Sequence, residues 1–337
     1  MILRRRISPW LASWIAILSL PAAYCLLILS GCNSKLPGDN SKTPPKLSIG
    51  EGQGTDTGGQ RPNDQLGGMQ ADSSNSAAAP TQANPSTDPK QQADPELEAV
   101  LNQLETNAKA WQEGKPFDFA PSATKIVERL QTNFNQTQLE LAHDAAQLFI
   151  MAGAYDDARQ VYTALAKAAE KASDSKLAPP AQEIAQAGLT KLNLLNSSPI
   201  VEGTLFGGGQ FDWSAYRGKV VLIDFWATWC PHCVEELPEV KQIYEKFHDQ
   251  GFDVVGISLD EDKKALADFL DKKQLPWVTL FSDDPAKQGW EGAAMSKAFA
   301  VEELPTMILI DRSGKIVSIF ARGEVLPQLV EKVLAEK

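Results

Sequence analysis

Residues 226–238 read WATWCPHCVEELP, and the two cysteines of this stretch stand three positions apart with a proline and a histidine between them. Such spacing is used for metal binding, covalent haem attachment and thiol–disulfide exchange. A zinc site needs four ligands, whereas the single C-x-x-C motif offers two and the chain has only three histidines, so no metal is predicted. Covalent haem needs a histidine where Val234 stands, and a structural disulfide across so short a loop would restrict the unfolded chain little. The spacing therefore favours thiol–disulfide exchange by Cys230 and Cys233, without a cofactor.

A continuous apolar segment precedes the cysteines and predicts a buried central strand. Residues 220–225 read VVLIDF, and Asp224 is the one polar residue among them. A carboxylate inside such a strand is costly unless it has a partner or a function. After the cysteines the pattern predicts a helix to about residue 248, a strand at 252–257, a helix near 260–272, a hairpin around 311–314 and a final helix. This order predicts a central mixed sheet with helices on both faces.

Residues 199–337 resemble the thioredoxin-fold domains of the TlpA/ResA-like family of extracytoplasmic thiol–disulfide oxidoreductases. The motifs that carry the resemblance are FDWSAYRGK at 211–219, FWATWC at 225–230, the pattern W-C-x-x-C-x-x-E-x-P ending at Pro238, LPT at 304–306, ID at 310–311 and GK at 314–315. The resemblance implies an α/β thioredoxin fold at the C-terminus and an enzyme that exchanges disulfides with protein substrates. It also implies a cis-proline at Pro305.

The roles of four residues follow from this resemblance and from their positions. Cys230 would stand at a helix N-terminus, where unpaired N–H groups and the helix dipole favour a thiolate, and would be the nucleophile. Cys233, nearly one turn further, would resolve the mixed disulfide. The resemblance implies that Asp224 and Glu236 are buried acids that move protons for the cysteine pair.

Five residues around the cysteines are expected to contact substrate. Pro231 suits the first turn of a helix. A cis-proline at position 305 would lie against the disulfide and leave neighbouring backbone free to pair with an extended substrate. The predicted substrate-contacting set is Trp229, Pro231, Leu304, Pro305 and Thr306.

His232 leaves the direction of electron flow open. The TlpA-like scaffold implies a reductase, whereas Cys-Pro-His-Cys resembles the pair of DsbA-type oxidants. A histidine at this position can stabilise the Cys230 thiolate, which stabilises the reduced form and makes the disulfide more oxidising. The sequence therefore predicts the chemistry without its direction.

The N-terminus predicts export and a lipid anchor. Arginines at positions 4–6 precede an apolar run from Trp10 to about Leu29, and residues 29–32 read LSGC, which resembles a bacterial lipobox. We expect residues 1–31 to be a signal peptide and Cys32 to be lipidated, which places the mature chain on the extracytoplasmic face of a membrane. An uncleaved transmembrane anchor is the alternative, because the run is long enough to span a bilayer. Pro21 within the run favours the lipoprotein.

Two further regions separate this anchor from the cysteine motif. Residues 32–94 are rich in Gly, Ser, Asn, Gln, Asp and Pro without an aromatic residue, which predicts a disordered tether. Residues 95–198 predict an all-α helical-hairpin region, and GAYDDA at 153–158 resembles the turn of one tetratricopeptide unit. A non-catalytic binding or assembly lipoprotein that acts through these helices is the alternative function.

The charge of the chain limits its partners. The net charge of −11 argues against a nucleic-acid partner, because no basic excess is available for phosphate contacts. We expect protein thiols and disulfides as substrates, and a membrane or extracytoplasmic redox partner that renews the cysteine pair.

Overall fold

The computed structural model describes residues 94–172, 176–289 and 294–336, together with Leu3. Cys32, the predicted tether up to residue 93 and the predicted signal peptide apart from Leu3 lie outside the described residues. Within the described ranges, none of the helices combines the length and apolar character needed to cross a bilayer.

The first part of the described chain is all-α. Helices α1–α5 span Pro95–Gln112, Ala120–Thr132, Gln136–Met151, Tyr155–Lys171 and Ala178–Leu192. Helix α1 begins after Asp94, whose side chain accepts a hydrogen bond of 3.0 Å from the N–H of Leu97 and caps the helix. Helices α4 and α5 approach closely at Gly188, where an added Cβ would lie 2.3 Å from Cε2 of Tyr162. The glycine is therefore needed for the contact between these two helices.

The second part is a mixed five-stranded sheet with helices around it. Strands β1–β5 span Val220–Trp226, Phe252–Ser258, Val278–Leu280, Thr306–Ile310 and Ile316–Ser318, and helices α6–α9 span Pro231–Phe247, Lys263–Lys273, Ala294–Ala298 and Leu326–Ala335. The strand order is β3-β2-β1-β4-β5, with β1, β2 and β3 parallel and β4 and β5 antiparallel to their neighbours. The predicted thioredoxin fold, preceded by a helical region, is confirmed. Strand β3 was not predicted, because three residues show no alternation.

Alternating residues of β1 face two different cores. Leu222 and Trp226 belong to the cluster that contains both cysteines and residues of α6, α7 and α9. Val221 and Ile223 belong to the opposite cluster, which continues into the core of the helical region. Because side chains of a strand alternate, Asp224 lies on the face of the cysteines.

Both outer strands of the sheet pair with the segment that follows the helical region. At β5, Asn196 donates its N–H to the carbonyl of Ile316 at 2.9 Å, and Ile316 donates to the carbonyl of Ser197 at 2.9 Å. At β3, the N–H of Phe206 donates to the carbonyl of Thr279 at 2.9 Å. We refer to residues 196–206 as the edge segment.

Candidate active site

The turn between β1 and α6 is held by a buried carboxylate that the sequence analysis missed. Asp260 is 2% exposed and lies just beyond the end of β2. Its oxygens accept hydrogen bonds from the N–H of Thr228 at 3.1 Å, from the Thr228 hydroxyl at 2.6 Å and from the Ser258 hydroxyl at 2.8 Å. These bonds fix the backbone two residues before Cys230. An aspartate that follows an apolar parallel strand at the same sheet edge is the signal that could have revealed it.

The two cysteines form a disulfide at the N-terminus of α6. Their Cα atoms are 5.3 Å apart. Cys230 is the N-cap residue, its Sγ accepts a hydrogen bond of 3.2 Å from the N–H of Cys233, and Pro231 occupies the first turn. The helix dipole and these N–H groups favour negative charge on the Cys230 sulfur. Cys230 is 6% exposed and Cys233 1%, so Cys230 is the sulfur nearer to solvent.

The two predicted acids have different environments. Asp224 is 1% exposed, and neither of its oxygens has a hydrogen-bond partner within the described part of the chain. The pKa of Asp224 is raised to about 7, chiefly by burial and also by the charge of Glu236, while Arg322 opposes both effects. Glu236 is bound by Arg322 through two hydrogen bonds, Nη2 to Oε1 at 2.5 Å and Nε to Oε2 at 3.3 Å. Asp224 is therefore the carboxyl group that can exchange a proton near neutral pH.

The predicted proline loop reaches the same cluster. The Leu304–Pro305 peptide bond is cis, as the resemblance implied. The carbonyl of Pro305 accepts a hydrogen bond of 2.6 Å from Nη1 of Arg322, and the hydroxyl of Thr306 donates to the carbonyl of Glu303 at 2.8 Å. Arg322 was missed because nothing in the pattern IVSIFARG at 316–323 distinguishes a buried arginine from an exposed one.

Two predicted site residues are exposed rather than enclosed. The side chain of Trp229 is 60% exposed, which makes it one of the few large apolar side chains in the described ranges open to solvent. The side chain of His232 is 53% exposed, and its Nδ1 lies 3.4 Å from Oε2 of Glu235, one turn further along α6. Both residues border the more accessible cysteine, where an incoming protein would make contact.

Comparisons with known proteins match the part of the chain that contains this cluster. The Redoxin family model matches residues 196–333. The thiol-disulfide oxidoreductase ResA of Bacillus thuringiensis is 26% identical over 144 residues, which are 43% of this chain and 78% of the relative. Tryparedoxin of Trypanosoma brucei brucei is 34% identical over 130 residues, which are 38% of this chain and 86% of the relative. The solved thioredoxin domain of a thiol-disulfide oxidoreductase from Bacteroides vulgatus is 26% identical, with a TM-score of 0.37, and covers 42% of this chain and 97% of that one.

Proposed function

Because the chain belongs, through its C-terminal part, to the TlpA/ResA-like family of thioredoxin-fold thiol–disulfide oxidoreductases, we propose that Cys230 and Cys233 exchange disulfides with protein substrates. The observation that carries the proposal is the Cys230–Cys233 disulfide at a helix N-terminus, on the sheet face that also carries the buried Asp224, whose oxygens have no hydrogen-bond partner among the described residues. Trp229, Pro231, His232 and the Leu304–Thr306 loop form the surface that receives the substrate.

The oxidised form accepts two electrons in two exchange steps. A substrate thiolate attacks Sγ of Cys230, a new S–S bond forms, and the Cys230–Cys233 bond breaks with its electron pair on Cys233. The Cys233 thiolate takes a proton from Asp224, about half of which is protonated at pH 7 because burial raises its pKa to about 7. A second substrate thiolate then attacks the substrate sulfur and releases Cys230 as a thiolate.

The reduced form runs the same steps backwards. The Cys230 thiolate attacks one sulfur of a substrate disulfide, the substrate S–S bond breaks, the other substrate sulfur leaves as a thiolate, and a mixed disulfide with Cys230 remains. Asp224 takes the proton of the Cys233 thiol, and the resulting thiolate attacks Sγ of Cys230, which releases the substrate in its reduced state. Either direction uses the same residues, and the redox partner determines which one prevails.

Trapping of mixed disulfides tests this proposal. In a full chain carrying Cys25→Ser and Cys32→Ser, Cys233→Ala is expected to leave substrates attached to Cys230, visible on non-reducing gels and released by dithiothreitol. The matched control is Cys230→Ala, which keeps Cys233 and is expected to trap almost nothing because that sulfur is 1% exposed. If Cys233→Ala traps no more than the control, the dithiol mechanism is wrong and the binding role of the helical region becomes the better explanation.

The location of the protein is part of the same proposal. Residues 1–31 act as a signal peptide, Cys32 carries the lipid, residues 32–94 form a tether, and the helical region 95–198 and the thioredoxin-like region 199–337 stand on the extracytoplasmic side. The LSGC sequence at 29–32 supports the anchor. Metabolic labelling with a fatty-acid analogue is expected to tag the natural chain and not Cys32→Ala, whereas equal labelling of both would contradict lipidation at this residue.

A further inference from the structure

Arg322 is a buried cation at the centre of the site. It follows β5, is 2% exposed, and reaches two elements that are distant in sequence. Nη2 and Nε bind the two carboxylate oxygens of Glu236 at 2.5 and 3.3 Å, and Nη1 donates to the carbonyl of Pro305 at 2.6 Å. Burying a guanidinium is costly, and paired hydrogen bonds with a carboxylate offset that cost. Arg322 therefore joins the cysteine helix to the proline loop.

This contact restricts what Glu236 can do. Each of its oxygens accepts a charge-assisted hydrogen bond from the same guanidinium. These two bonds hold the Glu236 carboxylate in one position beside Arg322. Asp224 has no such bond to lose, since neither of its oxygens has a partner among the described residues.

The charges that act on Asp224 have opposite signs and come from two elements of the fold. Its partners in the sheet, Gly256 on β2 and Met307 on β4, carry no charge. From α6, the Glu236 carboxylate raises the pKa of Asp224, and from the segment after β5 the Arg322 guanidinium lowers it. The cysteine pair lies on the same face as these groups.

Further charged groups act on Glu236 and Arg322 rather than directly on Asp224. Glu303, on the proline loop, interacts with Arg322 and forms an ion pair of 3.7 Å with Lys191 of α5. Burial and the charges of Glu236 and Glu324 raise the pKa of Glu239 of α6. Arg322 thus acts on Asp224, Glu236 and Glu303, and Lys191 shares the charge of Glu303.

We propose that Arg322 is a positioning residue: it fixes Glu236 as a bound anion and leaves Asp224 as the group that exchanges a proton with Cys233. The proposal rests on the dithiol function proposed above. It assigns the two acids of the site different tasks, with Glu236 supplying a fixed charge and Asp224 supplying the mobile proton.

The pH dependence of mixed-disulfide resolution tests this division. A fluorescent peptide is attached to Cys230 through a disulfide, in the full chain carrying Cys25→Ser and Cys32→Ser, and its release by Cys233 is followed from about pH 5.5 to pH 9. The rate is expected to rise as Asp224 loses its proton. Arg322→Met removes the cation and is expected to move the midpoint up by about one pH unit, because a nearby opposite charge shifts a carboxyl by one or more units. Glu236→Gln removes the like charge and is expected to move the midpoint down.

Two more variants separate positioning from structural support. Arg322→Lys keeps the charge and is expected to retain most of the natural midpoint, and Arg322→Met with Glu236→Gln is expected to fall between the two single variants. If Arg322→Met does not fold, the downward shift required of Glu236→Gln and the nearly natural midpoint required of Arg322→Lys remain measurable. Equal loss of rate at every pH, without a shift of the midpoint, would mean that Arg322 only supports the fold.

The same assay distinguishes failure of this inference from failure of the proposed function. If the natural chain releases the peptide and no variant shifts the midpoint, the role of Arg322 is wrong while the dithiol mechanism stands. If the natural chain does not release the peptide at any pH, the mechanism and the role of Arg322 both fail.

Discussion

Replacing Asp224 by asparagine should make the oxidised protein more stable at neutral and alkaline pH. Asparagine has the size of the protonated carboxyl group and cannot ionise. In the natural chain, burial first and the charge of Glu236 second raise the pKa of Asp224 from 3.8 to about 7. Ionisation of Asp224 is therefore less favourable in the folded state than in the unfolded state. This difference lowers the free energy of unfolding above about pH 4.

The sign and size of the effect follow from proton linkage. Below about pH 4 the carboxyl is protonated in both states, and the stability associated with its proton is fully present. Between about pH 4 and pH 7 the folded state binds more protons than the unfolded state, so the free energy of unfolding falls by about 1.4 kcal/mol per pH unit. The loss is complete above the folded pKa and amounts to at most about 4 kcal/mol.

Urea unfolding at several pH values measures this difference. The free energy of unfolding of Asp224→Asn minus that of the natural chain, both with the disulfide intact, is expected to grow from about 2 kcal/mol at pH 5.5 to about 4 kcal/mol at pH 8. Tryptophan fluorescence reports the transition, because Trp226 lies in the same core. A difference that stays constant across this range would refute the reasoning.

Asp253→Asn is the matched control for this measurement. Asp253 is also a buried carboxylate on a strand, but it forms an ion pair of 2.8 Å with Lys219 and accepts a hydrogen bond of 2.9 Å from the N–H of Val254. The substitution is expected to lower the free energy of unfolding at pH 8, because the neutral amide can still accept hydrogen bonds but no longer pairs with the charge of Lys219. Opposite signs for the two variants would show that the effect depends on whether the carboxylate is paired.

Three further substitutions test separate parts of the structure. Asp260→Ala leaves the N–H and hydroxyl of Thr228 without their acceptor, and a loss of about 1–3 kcal/mol is expected in urea unfolding; no loss would mean that water replaces the carboxylate. His232→Pro is expected to lower the reduction potential, measured against glutathione, by about 30 mV or more. This shift is a tenfold change in the equilibrium constant for exchange with glutathione. An unchanged potential would mean that the histidine does not set it. Gly188→Ala places a Cβ 2.3 Å from Cε2 of Tyr162 and is expected to cost about 1–3 kcal/mol without changing the potential; a neutral effect would mean that the helices separate easily.

The sequence predicted the parts of the site that lie close together along the chain. The apolar run with Asp224 inside it and the cysteines six positions later identify a strand and a helix start by local rules alone. The LPT motif gave the cis-proline through resemblance. These features can be predicted from sequence because residues that are close together along the chain are also close together in the structure.

Arg322 and Asp260 were missed because their contacts join parts of the chain that are far apart in sequence. Arg322 meets Glu236 across 86 positions, and Asp260 meets Thr228 across 32. Both contacts follow from strand order, which brings the end of β2 and the segment after β5 to the cysteine helix only once the sheet has formed. A charged residue next to an apolar run looks the same in sequence whether it is exposed or is paired in the core.

The edge segment affects whether copies of the protein associate through the margins of their sheets. An outer strand with unpaired N–H and carbonyl groups can form hydrogen bonds with a strand of another molecule. Such pairing leads to aggregation. Residues 196–206 supply hydrogen bonds to β5 at one side and to β3 at the other, so the same few residues cover both margins of the sheet. The anchor proposed above would hold copies of the protein at high local density, and this double cover would then protect both margins of the sheet from pairing between copies.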